Sequence, residues 1–208
     1  MNYGWARDFT LELINQYSVA GTKVPEAYNN QADYLNRIPK LLDDAQFYVA
    51  TTAGRMRDTV DLEELPRSER GDWYIYNLPN NCWQVCAGCL IRFDGPEMRR
   101  YHRYRMMGKS RLAVPKALDG LLSVEYFRYP AKLGDNPKDS TPLDNTEEAQ
   151  RALPYYVAAH LLMHDNPFAY SALYNEFEAK LGRLYEEPQT EPTIIQDVYS
   201  ATEWDYNN

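Results

Sequence analysis

The chain has 208 residues, a formal net charge of −8, 44% hydrophobic residues and 18 tyrosines. This length and apolar content predict a folded globular protein of one large or two small domains, and exclude a disordered chain. No apolar run approaches the roughly 18 residues of a membrane helix, and residues 1–8 lack the basic and apolar regions of a signal peptide. Three cysteines do not favour a disulfide scaffold, so we expect a soluble protein in a reducing compartment.

The chain begins with two predicted helices. Residues 7–18 predict a short amphipathic helix, because apolar side chains recur every four positions. Residues 31–57 follow the 3.6-residue period as far as Met56 and predict a longer helix. Pro39 lies inside this pattern, so we expect it to kink the helix or to begin a new one.

Between residues 72 and 130 the apolar period becomes two, which predicts about five antiparallel strands. Alternating runs occupy residues 85–93, 101–106 and 122–127. Asp94-Gly95 and Asp119-Gly120 lie between the runs, and Asp-Gly pairs indicate hairpin turns. One predicted strand face consists of Val85, Ala87, Cys89, Ile91 and Phe93.

The helical period then returns, over residues 146–164 and again after Asn166-Pro167. The second of these helices begins with an N-cap asparagine followed by proline at the first helical position. Pro154 is expected to kink the first, and the short link between the two predicts an antiparallel pair. Residues 134–145 contain prolines and acidic residues and are interpreted as a linker.

The order of elements predicts an α+β fold: a helical bundle from the N- and C-terminal segments, with an inserted antiparallel β-domain and an extended C-terminal tail. Residues 1–70 form the first half of the bundle in this interpretation, and residues 71–133 form the β-domain. Residues 134–186 supply the linker and the helical hairpin that completes the bundle. Residues 187–208 form a C-terminal arm.

The three cysteines have the spacing Cys82-x3-Cys86-x2-Cys89. Radical-SAM enzymes use this spacing to hold a four-iron cluster on three thiolates. Here the run continues into a predicted strand, on which Cys86 and Cys89 would point to opposite faces. We therefore interpret all three as structural cysteines, since unpaired cysteine behaves as a small apolar residue.

His160 and His164 are four residues apart on a predicted helix, as in a zinc protease. Leu161 stands where the catalytic glutamate of that motif would follow the first histidine. The chain has no nucleophile elbow, phosphate-binding glycine loop or Ser/His/Asp signature. We predict no catalytic residues, no metal site and no cofactor, and therefore a protein that is not an enzyme.

Charge is unevenly distributed along the chain. Residues 71–133 carry 10 Lys and Arg against 5 Asp and Glu, whereas residues 134–208 carry 4 against 14. The segment 99–111 has no acidic residue, and its six basic residues are Arg99, Arg100, Arg103, Arg105, Lys109 and Arg111.

Three interpretations of this basic segment remain open. It could contact nucleic acid, with arginines on phosphates and tyrosines stacked on bases. It could contact an acidic protein surface, including the acidic third of a neighbouring copy, or be a solvated strand face. The net charge of −8 disfavours a dedicated nucleic-acid binder. A basic middle and an acidic end suit head-to-tail contacts between copies, which close into rings when the rotation permits.

The C-terminal arm combines acidic residues with apolar ones that a purely solvated tail would not need. We predict that these side chains contact a partner, and that the arm becomes ordered when it binds. The candidate contact residues are Ile194, Ile195, Val198, Tyr199, Trp204 and Tyr206.

Three stretches of the predicted helices have a distinctive texture: NNQADYLNRIP at residues 29–39, EEAQRALPYYVAA at 147–159 and NEFEAKL at 175–181. With them, the chain resembles the head-to-tail adaptor (connector, or neck) proteins of tailed bacteriophages. The likeness covers about residues 8–186 in size, order of elements and residue texture.

The resemblance implies a structural protein of the virion neck, assembled in the host cytoplasm. Such adaptors form a twelve-membered ring below the portal, extend the DNA channel and dock the tail. The implied partners are the portal protein, tail or further neck proteins, and other copies of the chain. The ring would surround DNA without sequence-specific binding and would not engage a membrane. A tail-completion or stopper protein of the neck is the alternative.

Overall fold

The computed structural model describes residues 1–14, 31–94, 97–118 and 120–185. The fold is mixed α+β with antiparallel strands, as predicted, and the strands form two separate sheets. The helices are α1 (Tyr3–Leu13), α2 (Gln31–Thr52), α3 (Glu147–Gln150), α4 (Leu153–Leu162) and α5 (Pro167–Tyr185), and Leu62–Glu64 form a 3-10 turn. The strands are β1 (Met56–Asp61), β2 (Arg67–Arg70), β3 (Trp73–Asn77), β4 (Cys82–Asp94), β5 (Glu97–Tyr101), β6 (Arg105–Met106), β7 (Arg111–Pro115) and β8 (Leu122–Arg128).

Side-chain caps and prolines set the starts of the helices. Asn2 accepts a hydrogen bond from the Trp5 N–H at 2.9 Å, so α1 begins at Tyr3 and not at residue 7. Asn166 caps α5 by accepting from the Ala169 N–H at 3.1 Å, which confirms the predicted cap. The segment 146–164 is divided into α3 and α4, with Pro154 in the first turn of α4.

The long second helix ends earlier than its apolar period predicts. It remains one helix across Pro39, but it stops at Thr52, and Met56 begins β1. Gly54 follows the helix end, and its N–H donates to Val49 O at 2.9 Å. A Cβ at Gly54 would lie 3.0 Å from the Val49 side chain and 3.3 Å from Cβ of Ala149. The close packing at this turn therefore favours glycine.

The buried residues form two hydrophobic clusters. One cluster contains buried residues of α1, α2, α3, α4 and α5, and Phe177 and Leu42 are fully buried in it. The other is built from the strands around Leu90, Leu112 and Val124. None of the described helices has the length and apolar content to cross a bilayer.

The strands form two four-stranded sheets, with the orders β1-β8-β4-β5 and β2-β3-β7-β6. The first strand begins at Met56, earlier in the chain than residue 71, where the alternating pattern begins. Gly71 lies in the turn between β2 and β3 and has a φ of 58°, a conformation that glycine adopts without strain. Six strands, β3 to β8, lie between residues 72 and 130, where about five were predicted.

The two Asp-Gly pairs have different outcomes. Asp94 pairs with Glu97 in the β4–β5 ladder, so a hairpin does connect these strands, although residues 95–96 lie outside the described residues. The second pair lies between β7 and β8, which belong to different sheets. Gly120 therefore lies in a connection that leads from one sheet to the other. The predicted hairpin at that place is wrong.

A large bulge interrupts β4. Val85 pairs with Tyr126 and Leu90 pairs with Val124, so five steps on β4 oppose two steps on β8. Gly88 has a φ of 63° inside the bulge, in the left-handed region.

This bulge overturns two sequence predictions. Cys86 and Cys89 are both buried in the cluster between the strands, not on opposite faces. Simple alternation through residues 85–93 also fails, because the extra residues shift the register. Leu90 packs in the core, while Phe93 is 48% exposed.

Residues 134–145 are not a loose linker. The Tyr3 N–H donates to Thr141 O at 2.8 Å, and the Leu143 N–H donates to Met1 O at 3.2 Å. Leu143 is buried in the helical cluster. The segment packs against the start of α1, where its backbone groups find partners that the sequence pattern could not reveal.

Candidate interaction surface

The six basic residues predicted as a contact site follow one another along the chain, from the edge strand β5, past the edge strand β6, to the first residue of the inner strand β7. Arg99 and Arg100 belong to β5, Arg105 belongs to β6, and Arg111 begins β7. Arg103 and Lys109 occupy the connections on either side of β6. All six residues are exposed. We call them the basic edge.

The two edge strands follow each other in the chain. β5 is the last strand of its sheet and β6 is the last strand of the other sheet. Tyr101 ends β5 and Arg105 begins β6, and four residue steps span at most about 14 Å. The two sheets therefore present their edges, with unpaired backbone groups, close to one another.

Residues of the β4 bulge hold the connection between β5 and β6 in place. The Tyr104 hydroxyl donates to the backbone oxygen of Cys86 at 3.4 Å. A Cβ at Gly88 would lie 2.8 Å from Cε1 of His102, so the histidine ring lies directly over the glycine. Tyr101 packs against the buried strand cluster. These contacts involve Tyr101, His102 and Tyr104, whereas Arg103 between them is exposed to solvent.

The cations of the basic edge are only partly neutralised. Arg100 forms an ion pair with Glu125 at 3.0 Å, and Glu125 is shared with Arg57 at 3.5 Å. The Arg105 guanidinium lies 5.7 Å from the centre of the Trp73 ring. No acidic partner occurs within the described residues for Arg103, Lys109 or Arg111. Positive charge therefore remains available to an acidic ligand.

Exposed apolar side chains adjoin the basic edge. Phe93 and Met98 are paired residues of the β4–β5 hairpin and are 48% and 57% exposed. Leu121, which is 60% exposed, accepts the Phe93 N–H through its backbone oxygen at 3.3 Å. Met106 of β6, in the other sheet, is also exposed. We call Phe93, Met98 and Leu121 the apolar patch, a feature that the sequence analysis missed because its members come from separate parts of the chain.

Cys86 and Cys89 are buried in the β4 bulge, and Cys82 is half-buried at the start of β4. Burial raises the pKa of Cys89 to about 11, against the opposing effect of the Tyr104 hydrogen bond, and burial also raises the pKa of Cys82. These two thiols are therefore protonated at neutral pH, which is their less reactive form. Across the described ranges, no group of three or more His, Cys, Asp or Glu side chains could hold a metal ion.

The two histidines of the predicted pair lie in different environments. His160 stacks on Tyr156 with a centroid distance of 4.0 Å, and its Nδ1 lies 2.8 Å from Tyr156 O. Tyr174 meets the same imidazole ring edge-on at 6.0 Å. α4 ends at Leu162, so His164 lies in the exposed turn after the helix. His160 is thus part of the aromatic packing between α4 and α5.

The predicted contact residues of the C-terminal arm, Ile194, Ile195, Val198, Tyr199, Trp204 and Tyr206, lie outside the described residues. The described candidate surface is therefore the basic edge together with the apolar patch. Such a surface suits a ligand that is both acidic and apolar.

The chain was also compared with known proteins. No protein-family model matches it, and no curated protein matches it. Any functional assignment therefore depends on the residues and on the geometry of this surface.

Proposed function

We propose that the protein is a head-to-tail adaptor of a tailed bacteriophage. In this role it is a structural virion protein that forms a ring below the portal, extends the DNA channel and docks the tail. The observation that carries the proposal is the exposed basic edge, which connects an edge strand of one sheet to an edge strand of the other in a chain of net charge −8. A surface of this kind, opposite in sign to the rest of the chain, suits repeated contacts between copies.

The two hydrophobic clusters support the proposal. Helices from both ends of the chain share one cluster, and the strands between them share the other. We propose that the first is a helical bundle forming the ring wall, and that the strands are an inserted β-domain that contacts the next neck or tail component. The resemblance of the helical stretches to phage adaptors supports the same assignment.

The net negative charge of the chain also suits a protein that surrounds DNA without binding it. An acidic channel lining repels phosphate, so DNA can slide through without being bound. Residues 134–208, with 14 acidic residues against 4 basic ones, supply much of the negative charge. The arm 187–208 would reach the portal or an adjacent subunit.

Cryo-electron microscopy of the full chain mixed with the portal protein tests the proposal. We expect ring-shaped density added to one face of the portal, with one copy of the chain for each portal subunit. A matched mixture with the tail-side neck protein separates the adaptor from a stopper or tail-completion protein. Portal particles that gain no density at saturating protein would refute the adaptor assignment.

Nucleic-acid binding by residues 99–111 is the second candidate, favoured by the exposure of all six cations. A binder that neutralises phosphates loses affinity in salt, with a slope of about −0.9 per phosphate contact in duplex DNA. Fluorescence anisotropy with a DNA duplex at several salt concentrations measures this slope. A steep slope that Arg103→Glu with Arg105→Glu abolishes, and that Arg67→Glu with Arg70→Glu on β2 leaves intact, would favour this function.

A further inference from the structure

We propose that residues 186–208 of one copy bind the basic edge and the apolar patch of a neighbouring copy. This inference deepens the proposed function and rests on it, because it names the contact that joins successive subunits of the ring. The occupant is a segment of a second copy of this chain.

Charge complementarity is the first argument. Residues 186–208 contain no Lys or Arg, and their six acidic residues are Glu186, Glu187, Glu191, Asp197, Glu203 and Asp205. The basic edge carries six cations, and Arg103, Lys109 and Arg111 have no acidic partner within the described part of the chain. Opposite charges on the two surfaces favour this pairing over contacts between like surfaces.

Apolar complementarity is the second argument. The apolar patch exposes Phe93 and Met98 on the same face of the β4–β5 hairpin, because paired residues in a ladder share a face. The C-terminal segment has apolar side chains interspersed with its acids, including the pair Ile194-Ile195 and Trp204. Water is removed from both sets when they meet, which adds a favourable term that salt does not screen.

The position where α5 ends gives the third argument. Leu184, close to the end of α5, lies 3.7 Å from the place a Cβ at Gly54 would occupy. Gly54 precedes β1 by two residues, and β1 and β5 are opposite edges of one sheet. Helix α5 therefore ends beside the residues that lead into β1, at the edge of this sheet opposite β5.

In a ring, the end of α5 in one copy and the basic edge of the next copy can face each other. Copies that repeat in one orientation around an axis meet through two different surfaces, which is a heterologous contact; in this proposal the two surfaces are the β1 side of one copy and the β5 side of the next. The 23 residues from 186 to 208 can span up to about 75 Å when extended, so the neighbouring edge lies within reach. The same reach would allow the segment to fold back on its own chain, and the test must distinguish these arrangements.

Charged side chains on edge strands also have a protective use, because they hinder pairing of exposed sheet edges between molecules. That role requires no specific partner. It predicts that reversing the charges of the basic edge changes solubility but creates no dependence on the acids of residues 186–208. The two explanations therefore differ in a measurable way.

The experiment uses full chains labelled with nitrogen-14 and nitrogen-15, mixed in equal amounts and treated with a zero-length reagent that joins amines to carboxylates. We expect mixed-isotope links between Lys109 and Glu203 or Asp205, both at high protein concentration and in the portal-bound ring. Arg103→Glu with Arg105→Glu should weaken self-association by about tenfold, because two attractive contacts become repulsive. Glu203→Lys with Asp205→Lys should do the same, and a mixture of the two variants should recover the affinity.

Arg67→Glu with Arg70→Glu is the matched control, because β2 is the exposed edge strand on the other side of the second sheet. We expect this variant to associate like the unmodified chain. Links confined to chains of one isotope, or no recovery on mixing the complementary variants, would overturn the inference. If rings still form on the portal in that case, the proposed function stands and the proposed contact is wrong; absent rings refute both.

Discussion

The ion pair between Arg128 and Asp144 should contribute strongly to stability, because it joins the strands to the helical cluster. Arg128 ends β8, and its guanidinium contacts both carboxylate oxygens of Asp144, at 2.6 and 2.8 Å. Asp144 also accepts the Ala131 N–H at 2.6 Å, and its own N–H donates to Gln46 of α2 at 2.7 Å. Leu143, next to Asp144 in the chain, is buried among the helices.

The burial of the two side chains determines how much stability Asp144→Asn should lose. The side chains of Arg128 and Asp144 are 25% and 27% exposed, so solvent screens the pair only in part. Asp144→Asn removes the charge and one of the two acceptor oxygens. Hydrogen bonds to charged groups contribute about 1.5–3 kcal/mol, so we expect a loss of about 2 kcal/mol and a fall in Tm of about 4–8 °C.

The same pair predicts a pH dependence. The Arg128 hydrogen bonds hold the pKa of Asp144 below its ordinary value, against the opposing effect of burial. A depressed carboxyl pKa stabilises the folded state above the unfolded pKa, near 3.9 for Asp, and this contribution is lost as pH falls through the folded pKa. The difference between the unmodified chain and Asp144→Asn should therefore be constant from pH 7 to about 5 and shrink below about pH 4.

Urea unfolding followed by circular dichroism measures the difference at each pH. Glu176→Gln is the control, because Glu176 pairs with Lys180 on the surface of α5 at 3.3 Å and is 53% exposed. That exposed pair should contribute about 0.5 kcal/mol or less. If Asp144→Asn costs no more than the control at pH 7, or if its cost does not change at low pH, the reasoning about the pair is wrong.

Three further predictions concern the core, a helix cap and the thiols. Phe177→Ala should cost about 3–5 kcal/mol in urea unfolding, because this fully buried ring packs among aromatic side chains of α2, α4 and α5; a loss below 1 kcal/mol would contradict its place in the core. Asn166→Ala should cost about 1 kcal/mol by removing the cap of α5, and Asn166→Asp should keep most of the stability, as thermal unfolding can show. A maleimide should modify half-buried Cys82 first in the native protein, with Cys86 and Cys89 reacting after denaturation; equal native rates, measured by mass spectrometry, would contradict the burial.

Local sequence signals predicted several elements correctly. Asn166-Pro167 marks the start of α5 because capping depends on residues three positions apart. The alternation at residues 122–127 predicts a strand, and β8 spans Leu122–Arg128, although Ser123 and Phe127 on its other face are buried as well. The six cations of residues 99–111 were recognised as one candidate surface because they are close in sequence.

Other features depend on contacts between distant residues. A Cβ at Gly54 would lie 3.3 Å from Cβ of Ala149, 95 positions along the chain, so the apolar period, which overshoots to Met56, contains no sign of this close packing. The bulge around Gly88 is defined by the pairing of β4 with β8, which no window of β4 contains. The apolar patch likewise combines Phe93 with Leu121 across a ladder.

The sequence by itself determined that this protein is α+β, that its helices flank a strand region and that its charge separates into a basic middle and an acidic end. Local periodicity, capping and composition are sufficient for these properties. Tertiary structure alone decided that the strands divide into two sheets, that Cys86 and Cys89 share a core, and that the basic segment connects an edge strand of one sheet to an edge strand of the other. Strand pairing and register are set by long-range packing, so the same local pattern is compatible with more than one arrangement until the partners meet.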